Sequence, residues 1–125
     1  MNVKYILLSL LAIFAPIVPL LVVVGVLIFV DLILGVIAAM KRKEEITSAG
    51  FRRTVTKMFI FQLAILTGYL LEHYLLADIL PVAKLVAGVI GISEFKSILE
   101  NISSISGLNF KSIIAKLGSI NDNKN

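Results

Sequence analysis

The stretch LLVVVGVLIFVDLILGVIAAMKRK, residues 20–43, decides the fold of this chain. It holds a single charge, Asp31, before it closes on the basic run Lys41-Arg42-Lys43. A helix rises about 1.5 Å per residue, so Leu20 to Met40 matches a hydrocarbon core about 30 Å thick. The basic run then marks the edge of that core. Asp31 falls about 15 Å inside, where a charged side chain costs from a few to more than ten kcal/mol. A carboxylate is kept at such depth when it pairs, meets water, stays protonated or joins helices.

Working toward the N-terminus, an unbroken helix from Met1 to Met40 would be about 60 Å long, twice what one crossing needs. Pro16 and Pro19 are expected to break it. Tyr5 to Ala15 then makes about 16 Å of helix, too short to cross alone, and reads as a short N-terminal amphipathic helix inserted shallowly or held inside an oligomer. Residues 1–40 form one N-terminal membrane segment. A cleaved signal peptide is not expected, because the apolar run outlasts the usual h-region and no small-x-small site follows it.

Toward the C-terminus, residues 41–57 read as a basic cytoplasmic loop. Lys41, Arg42, Lys43, Arg52, Arg53 and Lys57 make up half of the twelve basic residues of the chain, and Ser48, Gly50 and Thr54 offer turn and cap chemistry. Residues 58–80 form a second transmembrane helix with Gln62, Tyr69 and His73 on one face, a face unlike those that look at lipid. Counted outward from Lys57, the level of Asp31 falls near Leu66 and Thr67, so a direct Asp31–His73 pair is not expected. Residues 81–106 open on Pro81 and form a third membrane or amphipathic helix. In it Ser97, Glu100, Asn101 and Ser104 oppose Phe95, Ile98, Leu99, Ile102 and Ile105, with Glu94 at the border. Residues 107–125 repeat the pattern as an amphipathic tail, with Phe110, Ile113, Ile114 and Leu117 against Lys111 and Lys116. Gly35 and Ala39, four residues apart on the face of Asp31, let another helix approach closely.

Composition narrows the class further. The chain has 125 residues, of which 58% are hydrophobic and 16% charged, with a mean hydropathy of +1.00. Such a chain prefers lipid as its solvent and is too short for a separate catalytic domain besides its spans. It has no cysteine and one histidine, which excludes thiolate chemistry and a multi-His metal site within one chain. No cofactor is expected. No Ser-His-Asp set or phosphate loop is present, so an enzyme is not expected either. The net charge of +4 is concentrated in the basic loop and reads as a topology signal rather than a nucleic-acid surface.

Asp31-Leu32-Ile33-Leu34-Gly35 with Ala38-Ala39 is followed by Ser48-x-Gly50-Phe51, Lys57, Glu94-x-x-Ser97-Ile98-Leu99-Glu100-Asn101 and Gly107. In that order, over residues 31 to 107, the chain resembles the phage holin family that includes clostridial toxin-secretion holins. Arg53, Ser93 and the two N-terminal prolines depart from the pattern. The resemblance implies an all-α, multi-pass protein of the bacterial inner membrane, with about three transmembrane helices. It would assemble as a homo-oligomer in the bilayer and open a lesion through which an endolysin or a toxin leaves. Asp31, Gly35, Ala39, Gln62, Tyr69, His73, Glu94, Ser97, Glu100 and Asn101 are then the candidates for oligomer contacts or pore lining. Two other readings stay open on the residues alone: an ion-translocating ring or small transporter subunit that uses Asp31, and a membrane anchor for a phage or secretion assembly.

The charge asymmetry yields a first prediction, since the connection from Ala77 to Pro81 carries no Lys or Arg. A cysteine at Ser48 resists a membrane-impermeant thiol reagent added to intact cells. Rapid labelling would reverse the topology.

Overall fold

The computed structural model describes residues 2–109 and is all helical over them. The amphipathic segment expected around Phe110 to Leu117 lies outside the described residues. Helix α1 spans Val3–Phe14, α2 Val18–Lys41, α3 Ser48–Leu70 and α4 Val82–Ser106.

The break expected at the prolines is a single 3-10 turn, Ala15–Ile17, between α1 and α2. Pro16 and Pro19 lack the amide hydrogens that would reach back one turn, so the α-helical ladder is interrupted twice within four residues. Pro19 sits in the first turn of α2, where a missing donor costs nothing. Helix α1 buries none of its residues. Its Ser9 hydroxyl turns back onto the Tyr5 carbonyl, at 2.8 Å.

Residues 41–57 are not all loop, which corrects the reading from sequence. Only the short connection up to Thr47 is non-helical, and α3 starts at Ser48. Thr47 Oγ1 caps it by accepting from the Gly50 amide at 3.3 Å, and the Thr54 hydroxyl folds onto the Gly50 carbonyl at 3.2 Å. Eleven of these residues are therefore helix, Lys41 at the end of α2 and residues 48–57 in α3, which carries Arg52, Arg53 and Lys57. The far end of α3 loosens into one π-helical turn, Leu71–Leu75, before the connection to α4. Pro81 gives α4 no capping side chain. Instead Glu72 Oε1 accepts from the Ala83 amide at 3.0 Å. At its C-terminus α4 stops on Gly107, whose φ of 75° is left-handed and whose amide bonds the Ser103 carbonyl.

The last three helices form a bundle in which α2 and α4 run parallel and α3 runs against both. Arg42 bonds Ser104 and Lys41 Nζ bonds the Ile105 carbonyl at one end, while Gly68 abuts Val82 and Ala83 at the other. Ile28 and Ile65 are fully buried at the centre, with Val24, Tyr69, Ala83, Ala87 and Ile90 around them. Small residues bring α4 close to its neighbours. An ideal Cβ on Gly91 would lie 3.7 Å from Leu27, and one on Gly35 would lie 3.6 Å from Asn101 Nδ2. Gly35 thus lets α4 approach α2 inside the chain, and both Gly35 and Ala39 line a cleft.

The outer surface is apolar. Val22, Val26, Phe29, Ile33 and Ile37 on α2, Phe59, Ile60 and Leu63 on α3, and Leu85, Val89 and Ile92 on α4 all stand exposed. Among the described residues two helical stretches are long and apolar enough to cross a membrane, Val3–Lys41 and Ser48–Leu75. Such a surface would be an aggregation hazard in water and is at home in lipid.

Two glycines of α3 and α4 test the packing. An added Cβ on Gly68 meets Val82 at 3.4 Å and Val86 at 3.7 Å, whereas one on Gly88 meets nothing within 4 Å. Gly68→Leu lowers stability relative to Gly88→Leu by about 1–3 kcal/mol in thermal unfolding of micelle-bound protein. Equal melting of the two variants contradicts this α3–α4 contact.

Candidate functional site

The charges of the bundle converge at mid-length. Asp31 from α2, Lys57 from α3 and Glu94 from α4 meet, with Lys57 Nζ at 3.2 Å from Asp31 Oδ2 and 3.0 Å from Glu94 Oε2. Asp31 is 9% exposed and Glu94 3%. Asn101, two turns further along α4, donates from Nδ2 to Asp31 Oδ1 at 2.9 Å. Each helix therefore supplies at least one member of a single polar cluster.

Burial of such a group is costly unless it is paired. Two carboxylates and one ammonium leave the cluster one negative charge in excess, softened by the neutral donor Asn101. Removing one partner from a buried ion pair typically costs about 3–5 kcal/mol, because a bare charge stays behind. Lys57 is the member on which both carboxylates depend.

A cleft reaches this cluster from one side. It has a volume of about 510 Å³ and opens between the α2–α3 connection and the last turns of α4, and its wall includes Asp31, Gly35, Arg53, Lys57, Ser97 and Asn101. Beyond the cluster, the buried Ile28 and Ile65 close the bundle. At the mouth, Arg42 bonds Glu44 at 2.9 Å and Ser104 at 2.7 Å, tying the connection to α4. The hydrogen bond from Arg42 holds the Glu44 carboxyl below the ordinary carboxylate range. A depressed carboxylate favours the folded state at neutral pH and loses that contribution as the pH falls through its folded pKa. Both partners are exposed, so the contribution is small.

The expected site residues separate into groups. Asp31, Glu94, Asn101 and Ser97 come together around the cluster and the cleft. Lys57 was read as a topology residue at the membrane edge and is instead the hub. The register from which Asp31 was placed level with Leu66 and Thr67 is corrected with it, because α3 begins nine residues before Lys57 rather than just after it. Gln62 donates to the Leu21 carbonyl at 2.9 Å, and its Oε1 is buried without a partner. Tyr69 stacks on His73 with ring centres 5.5 Å apart, and His73 Nδ1 lies 3.1 Å from Asp78. Gln62 and Tyr69 lie on α3 and His73 in the π-helical turn after it, and none of the three is bonded to Asp31. Glu100 is exposed. The side of α4 expected to seek partners elsewhere thus finds two of them, for Glu94 and Asn101, within the chain.

A signal for Lys57 was present in the sequence. It stands alone between Val55-Thr56 and Met58-Phe59, outside any basic run, while Asp31 and Glu94 both lacked a cation. Among the described residues no group of His, Asp and Glu side chains is gathered that could hold a metal ion.

The cluster predicts the cost of losing its neutral donor. Asn101→Leu strips Asp31 Oδ1 of its partner and destabilises the protein by about 1–3 kcal/mol, and Asn101→Asp costs more because it adds a third carboxylate. Unfolding of micelle-bound variants measures both; wild-type stability in the two would remove Asn101 from the cluster.

Comparison with known proteins gives one match. The family model described as the bacteriophage holin family covers residues 9–122. No curated protein and no solved structure shows significant similarity to the chain.

Proposed function

The chain belongs to the bacteriophage holin family, and from that premise we propose that it assembles in the bacterial inner membrane and opens a pore through which an endolysin or a toxin leaves. The family is one of membrane proteins, and the two long apolar helical stretches agree with it. The match extends the motif resemblance over residues 31–107 to nearly the whole chain. In this reading α4 is a third span, since it lies alongside α2 for most of its 25 residues, about 37 Å of helix. The connection from Lys43 to Thr47 faces the cytoplasm.

One observation carries the reading: a helix of an apolar-clad bundle keeps Glu94, Ser97 and Asn101 on its inner side at mid-length. In the single subunit these groups are satisfied by Lys57 and Asp31. In an assembly, α4 can turn the same side toward water, and the polar groups that held the bundle closed then line a path. Ordinary lipid offers no such exchange. The protein itself performs no chemical step in this scheme, and the endolysin or toxin need not touch it.

A second reading draws on the cleft, which gives water a route to Asp31. An ion-translocating assembly would use that route while remaining closed to proteins. Passage of a folded reporter separates the two.

Induced expression is therefore expected to release a cytoplasmic reporter protein and stop growth. Asp31→Leu, which removes both charge and hydrogen bonding, abolishes or severely mistimes release, and Asp31→Asn is milder because it keeps size and hydrogen bonding. Ion leakage without reporter release favours the second reading. Wild-type timing in both variants removes Asp31 from the mechanism.

A further inference from the structure

Helix α4 is polar on a second side as well. Ser93, Lys96 and Glu100 are exposed, and at 100° per residue they lie within about 60° of one another along one flank. That flank borders the cleft, whose wall holds Ser97. Toward the start of α4 the same flank carries the exposed Val89 and borders Leu85, so it is polar only from Ser93 onward.

The depth of this flank follows from its neighbours. Glu94 faces Asp31, about ten residues inside the end of α2, and Lys96 is two residues further along α4. Measured from Ile105, which meets Lys41 at the bundle end, Glu100 is about 8 Å and Lys96 about 14 Å along the helix. A carboxylate and an ammonium at those levels are poor company for lipid tails, and neither has an ion pair among the described residues. They carry opposite charges one helical turn apart.

We infer that this flank docks on a second copy of the chain, with Lys96 of one subunit pairing Glu100 of the other. The pattern is self-complementary in charge, so two identical copies can join flank to flank with both Lys96–Glu100 pairs made at once. The inference rests on the membrane-embedded α4 of the proposed function and names the contact through which that assembly forms. The same geometry places the contact beside the cleft, so that two copies joined through it bring the Ser97 sides of their α4 helices together.

The test must separate a pair between subunits from a pair within one helix, which residues four apart can also make. Lys96→Glu and Glu100→Lys are expressed singly and together, each with its own affinity tag, and association in membranes is read by cross-linking and two-tag capture. Each variant alone places like charges on both sides of the contact, and cross-linked species fall about fivefold or more. Expressed together, the two variants pair with each other at every contact while each still carries like charges within its own helix. Association then returns to near the wild-type level. Undiminished association of the single variants overturns the inference, and so does failure of the mixture to recover it. A cysteine at Phe95, on the apolar outer face, checks the premise separately. Silence toward an aqueous thiol reagent supports a membrane-embedded α4, and rapid reaction overturns the premise together with the interface built on it.

Discussion

Lys57 holds the bundle in register because two carboxylates from different helices share its one ammonium group. None of the three charges can be buried alone at tolerable cost, and Lys57 cannot leave without stranding both carboxylates. This fixes the rotation of α2, α3 and α4 about their axes, since each must present its charged residue to the same point. It also explains why so few other polar contacts tie the helices together at mid-length. Asn101 and Gln62 add neutral hydrogen bonds, and most of the remaining contact is close packing of small and branched residues such as Ala83, Ala87, Ile28 and Ile65.

The arrangement inverts that of a water-soluble bundle. Three of its charges meet inside, at the floor of a cleft, while many of its large apolar side chains stand outside. In lipid, apolar side chains gain nothing by meeting one another, so specificity falls to the polar cluster and to fit. A membrane bundle held in this way is stable but exchangeable, for its polar groups can accept water or another subunit in place of each other. That exchange is what the proposed assembly requires in order to pass from a closed to an open arrangement. Helix α4 is suited to it by bearing polar groups on two sides, one satisfied inside the subunit and one left for a neighbour.

The span containing Asp31, the break at Pro16 and Pro19, and the start of α4 after Pro81 were legible in the sequence, because each rests on local chemistry: hydropathy over a long window, missing amide donors and a favoured first turn. The length of the connection was not legible. Six basic residues between Lys41 and Lys57 look like a solvated loop, yet Thr47 caps a helix that carries three of them. From that one error came the misplaced register, and with it the failure to bring Lys57 to Asp31. The split of α4 into an apolar and a polar side also misled. It grouped Ser97, Asn101 and Glu100, whereas the structure turns Asn101 inward, lines the cleft with Ser97 and leaves Glu100 outside. A single helix wheel has two sides, but a helix between two neighbours and lipid has at least three.

The central claim is that α4 leaves its inward position against α2 when the assembly opens. An ideal Cβ on Gly91 lies 3.7 Å from the Leu27 side chain, so cysteines at Leu27 and Gly91 of this cysteine-free chain can be joined by a short, membrane-permeant, reducible cross-linker. The measurement is reporter release from cells holding the fully joined protein, before and after reductant. The account predicts that release is blocked while α4 is tethered to α2 and resumes once the tether is cut. Release at the untethered rate from fully joined protein would contradict it.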